Sequence, residues 1–104
     1  MNKITENYTD NLYNDLRDPA EAAEYLNAAL EEGSLDVFLL ALKDIASANN
    51  ISEISRKTEL NRVNIYRMLS PKGNPQLKSL FAILHSLGLQ VQVSAEKNHK
   101  SSQI

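Results

Sequence analysis

The sequence predicts a mainly α-helical domain of about five helices, a helix-turn-helix at its centre and one short β-strand at its C-terminal end. Three observations predict it. Apolar residues recur every three or four positions through most of residues 18–87, the mark of helices with one buried face. Capping residues or glycines stand where these runs begin and end. The final run, Leu89-Gln90-Val91-Gln92-Val93-Ser94, changes to strict alternation, the period of a half-buried strand.

Residues 1–17 carry Tyr8, Leu12, Tyr13 and Leu16 at near-helical spacing, with too little apolar mass for a core helix. They read as a flexible arm whose Leu12, Tyr13 and Leu16 dock on the body or on another chain. The domain proper is expected over 18–94. Asp18-Pro19-Ala20-Glu21 opens its first helix: Asp18 caps, Pro19 takes the first helical position, and Glu21 closes a capping box. Ala22, Ala23, Leu26, Ala29 and Leu30 continue the apolar stripe, and Gly33 stops it. Ser34 then caps a helix of about 35–48, apolar nearly all round, and therefore the central one. After the loop Pro71-Lys72-Gly73, Asn74-Pro75 repeats the cap-then-proline start. Leu77, Leu80, Phe81, Ile83, Leu84 and Leu87 give the last helix a wide apolar face, ended by Gly88. A lone strand at 89–94 has no partner in the chain, so its edge is expected to pair with a second copy or with another protein. Residues 95–104 read as a disordered tail.

The stretch Ile51–Ser70, ISEISRKTELNRVNIYRMLS, holds the functional signal. It reads as two short helices joined by a tight turn, with Ser52 capping the first and Asn61 the second. Ile54, Leu60, Ile65 and Met68 would join the pair, and Ser55 is small where the two helices cross. The second helix then turns its outer face to a DNA major groove. Asn61, Arg62, Val63, Asn64, Tyr66 and Arg67 are the expected groove-facing residues, with Lys57 and Lys72 on phosphates. Arg and Asn are the side chains able to bond two base-edge groups at once, on guanine and adenine respectively. Tyr66 serves equally well as packing over the first helix of the pair.

Charge divides along the chain. The net charge is −2. Residues 1–50 hold ten acids against three bases, a balance of −7, whereas residues 51–104 hold three acids against eight bases, a balance of +5. A basic half suits a phosphate backbone; an acidic half suits a basic partner or simple solvation. With no Cys, thiolate zinc sites are excluded. The polar first residues carry no signal-peptide pattern, and no apolar run approaches the ~20 residues of a bilayer span, so a cytoplasmic protein without membrane association is expected. His85 and His99 have no acid or nucleophile near them in sequence, and Gly33, Gly73 and Gly88 form no phosphate loop. Neither an enzyme nor a cofactor- or metal-binding protein is expected.

Taken together, DPAEAAEYLNAALEEG, NRVNIYRMLSPKGNPQL and LHSLGLQVQV resemble the HigA-like family of probable addiction-module antidotes, type II antitoxins with an Xre-type, lambda-repressor-like helix-turn-helix. The resemblance covers roughly residues 10–94. Two departures touch the turn: Glu59 stands where the family usually has Gly, and Ser55 where it usually has Ala. The resemblance implies a dimer that represses its own operon at a palindromic operator. It also implies direct binding and neutralisation of a small basic toxin of the RelE/ParE-like class. The expected toxin-binding surface is the arm and first helix, through Leu12, Tyr13, Leu16, Glu21, Glu24, Glu31 and Glu32, whose acids could occupy a basic substrate groove. The alternatives are a stand-alone Xre-type transcriptional regulator without a toxin, and an interaction module that no longer binds DNA.

Overall fold

The computed structural model describes residues 15–97. Among them are five helices: α1 (Pro19–Glu31), α2 (Leu35–Ala48), α3 (Ile51–Thr58), α4 (Arg62–Met68) and α5 (Leu77–Ser86). α1 packs on α2, and α3 lies between α2, α4 and α5. Their apolar faces meet in one core, with Leu39, Leu42, Ile45, Ile65, Leu69 and Ile83 fully buried.

Local chemistry sets most of the boundaries. Asp18 accepts from the Glu21 N–H at 3.3 Å with Pro19 in the first turn of α1. The reciprocal half of the expected capping box is not made, because the Asp18 N–H donates to the Asp15 carbonyl at 3.0 Å. Gly33, at φ +80°, ends α1 in a conformation that only glycine adopts freely. Ser34 caps α2, accepting from the Val37 N–H at 3.4 Å. The central position of α2 is confirmed by Leu39, Leu42, Ile45 and Ala46, none of which touches solvent. Its apolar character nonetheless extends to the outside, where Val37 and Leu40 are 37% and 49% exposed.

The body begins before residue 18. Leu16 is buried in the core. Arg17 donates from Nε to the Ala48 carbonyl at 2.8 Å, and the Asn49 carboxamide donates to the carbonyls of Ile45 and Leu16 at 2.8 and 3.4 Å. Leu16 thus docks on the chain's own body, the first of the two surfaces expected for it, and not on another chain. Leu12 and Tyr13 lie outside the described residues.

Three further expectations are corrected. The cap of α3 is Asn50 and not Ser52: the Asn50 carboxamide oxygen accepts from the N–H groups of Ser52 and Glu53 at 3.0 and 3.3 Å, which makes Ser52 the second residue of the helix. α5 starts at Leu77, two residues later than Asn74-Pro75 suggests. Gln76 is still extended (φ −67°, ψ 144°) and makes no side-chain cap bond, so Asn74 lies outside the cap position. Residues 89–94 form no strand. The Leu89 N–H closes onto the Leu84 carbonyl at 2.9 Å and its side chain is buried, whereas Val91 and Val93 are 49% and 95% exposed. Alternation makes a strand only with a ladder partner, and the described residues supply none.

Candidate nucleic-acid interface

α3 and α4 are joined by a turn compatible with a helix-turn-helix, and three side-chain bonds build it. The Thr58 hydroxyl donates to the Ile54 carbonyl at 2.7 Å and accepts from the Leu60 N–H at 3.2 Å. The half-buried Ser55 hydroxyl donates to the Leu60 carbonyl across the turn. Between them Glu59 adopts φ 63°, ψ 22°, and its N–H donates to the Ser55 carbonyl at 2.8 Å. Glu59 is the one non-glycine residue at positive φ among those described. The turn is therefore formed here with a side chain in a conformation that favours Gly, at the steric cost of a Cβ. Ser55 does more than stay small: its hydroxyl fastens the turn.

Asn61 caps α4, its carboxamide oxygen accepting from the Asn64 N–H at 2.8 Å. The inner face is held by Ile65 and Leu69, both fully buried, with Met68 half-buried beside them. At 100° per residue, anchoring Ile65 inward sends Val63 and Arg67 almost directly outward. Arg62, Val63, Asn64, Tyr66 and Arg67 are all exposed, as the sequence suggests, and Lys57 and Lys72 are exposed on the segments either side. Tyr66, at 37%, is less open than Val63, at 65%. Asn61 is exposed too, but its oxygen already serves the cap. Asn64 is freer to place a full carboxamide on a base edge.

The segment after α4 is built as tightly. The Ser70 N–H and hydroxyl both donate to the Arg67 carbonyl (3.3 and 2.8 Å), and the Gly73 N–H donates to the Ser70 carbonyl at 2.8 Å. A Cβ on Gly73 would fall 2.2 Å from the Met68 carbonyl oxygen, so only glycine fits. This close turn presents Lys72 beside the end of α4. The sequence marks the loop but not this requirement.

Arg56, which the sequence reading passed over, is exposed on α3 and donates to Glu53 at 2.6 Å. The Arg56 hydrogen bond, followed by its charge, holds the Glu53 carboxyl below the usual carboxylate range; desolvation opposes this, and Lys57 lowers it further. The pair neutralises itself and leaves Lys57 as the open base of α3.

Residues 7–95 match the family described as probable addiction module antidote protein. The chain belongs to that family. An uncharacterized protein of Haemophilus influenzae is 38% identical over 73 residues, 70% of this chain and 75% of the relative. No solved structure matches the chain. An antidote of this family implies a toxin of some kind as partner. Glu21, Glu24 and Glu31 are exposed along α1, and Glu32 is exposed at its C-cap. Among the described residues none of the four pairs with a base, and no group of His, Asp or Glu is placed to hold a metal ion. No described helix is long and apolar enough to cross a membrane.

Proposed function

We propose that this antidote is the HigA-like antitoxin of a type II toxin–antitoxin module. In this reading it neutralises a RelE/ParE-like toxin by direct binding and, as a dimer with an Xre-type helix-turn-helix, represses its own operon. Antidote family membership supports the toxin-directed half. The DNA-directed half rests on one observation: a capped two-helix unit whose second helix turns Arg62, Asn64 and Arg67 outward, with Lys57 and Lys72 exposed on either side. Arg67 and Asn64 would read base edges in the major groove, and Arg62, Lys57 and Lys72 would track phosphates. Asn61 holds the start of α4 at the groove while its amide group reaches the DNA. Tyr66 would add a sugar or base contact. A dimer places two such helices about one DNA turn apart, which explains a palindromic operator.

The test is a titration of the full chain against duplex DNA from upstream of its own operon. Binding should fall steeply with salt, because phosphate contacts release counterions. Arg67→Ala should cost about 1–3 kcal/mol and relax preference at one base pair, whereas Lys72→Ala should weaken all sequences alike. Unchanged affinity and preference for Arg67→Ala would remove that residue from the reading surface. Weak, salt-insensitive binding by the wild-type chain would remove the repressor function.

A further inference from the structure

The exposed apolar residues of α2 have no role in the core and none in the DNA-facing surface. Val37 and Leu40 are 37% and 49% exposed, and with Ala28 and Ala41 they floor a shallow groove between α1 and α2. Glu32 and Asp44 stand at its edges, and Tyr25 bridges the two helices by donating to Asp44 at 2.8 Å. Beyond Tyr25 the surface continues past Glu21, Glu24 and Asp15. The only base on α1 or α2 is Lys43, beyond Leu40 on the same side as Asp36. An apolar floor inside an acidic margin is complementary to a basic polypeptide that inserts an apolar side chain between its charges.

A second apolar groove lies on the other flank of α1, lined by Leu30, Phe81 and Val91, but its polar lining is Asn27, Gln90 and Gln92, all neutral. Charge therefore separates the two. On the α1 helical wheel Glu21, Tyr25, Ala28 and Glu32 share one flank, and Ala23, Asn27 and Leu30 the other.

We infer that the groove between α1 and α2 is the seat of a basic segment of the toxin, with Val37 and Leu40 as apolar anchors and Glu32 and Asp44 facing its lysines or arginines. The inference rests on the antitoxin reading and shifts the expected contact surface from the arm and first helix to the groove between α1 and α2. The groove shares no residue with α3 or α4.

The test titrates the full-length chain with the small protein encoded beside it. Three variants are compared: Leu40→Arg in the groove, Glu32→Lys at its margin, and Leu30→Arg in the neutral groove. Leu40→Arg and the charge reversal should each weaken binding by about 30-fold or more, the size of an interface hot spot, with helix content and operator binding retained. Leu30→Arg should bind as the wild type does. If the wild type binds and both groove variants match it, or if Leu30→Arg alone abolishes binding, the groove assignment is overturned and the antitoxin reading stands. If the wild type does not bind at all, both are overturned. Should Leu40→Arg fail to fold, the reversal of the exposed Glu32 decides the matter.

Discussion

Glu59 sits at φ 63°, in the left-handed region where a Cβ crowds the backbone. Glu59→Gly should relieve that crowding against the extra unfolded-state freedom of glycine, for a net gain of about 0.5–1 kcal/mol. A thermal melt should show a midpoint a few degrees higher, with operator affinity unchanged. The cap of α3 makes a paired prediction. Asn50→Ala should cost about 1 kcal/mol, because two helix N–H groups lose their acceptor, whereas Ser52→Ala should be close to neutral. Equal losses at the two positions would contradict the assignment. Glu53 makes a pH-dependent contribution. Its carboxyl is held low by Arg56, so its contribution is complete above the ordinary carboxylate range and is lost as pH falls through the lowered folded-state value. The stability difference between wild type and Glu53→Gln should therefore shrink on acidification, in melts across an acid pH series.

At the scale of elements, five helices were legible because each carries its own punctuation. Asp18-Pro19, Ser34 and Asn61 cap as their positions suggest, and Gly33 and Gly88 end α1 and α5 at positive φ. The misreadings occur where two residues compete for one task. Asn50 and Ser52 are both good caps, and the spacing of apolar residues cannot choose between them. Asn74-Pro75 imitates a helix start, yet the chain stays extended through Gln76. Alternation at 89–94 gives a strand's period without the neighbour that makes a strand. Of the candidate site, the outward face of α4 was legible from Ile65 and the helical period alone. The Gly73 requirement was not, because it depends on the Met68 carbonyl coming close in space. Gly73→Ala should force that turn open, lower the melting temperature and displace Lys72, with weaker operator binding at low salt as the readout.

At the scale of the whole molecule, charge and topology would keep the two proposed tasks apart. The described acids of the first half lie on or beside α1 and α2, and Arg56, Lys57, Arg62, Arg67 and Lys72 lie on or beside α3 and α4, with Lys78 on α5 and Lys97 beyond it. One buried cluster connects the two, from Leu26 and Leu42 through Ile54 to Ile65 and Ile83. Ile45→Ala, at the centre of that cluster, should cost about 2–5 kcal/mol and impair both tasks together, since neither surface has a core of its own. Surface changes such as Arg67→Ala should instead impair one task and spare the other.

The most direct measurement of the central claim is co-expression with the adjacent small open reading frame, followed by purification on a tag carried by that neighbour. The account predicts a stable complex and a neighbour that arrests growth when expressed alone. No complex and no toxicity would contradict the antitoxin assignment and leave a stand-alone Xre-type regulator, to be judged by operator binding.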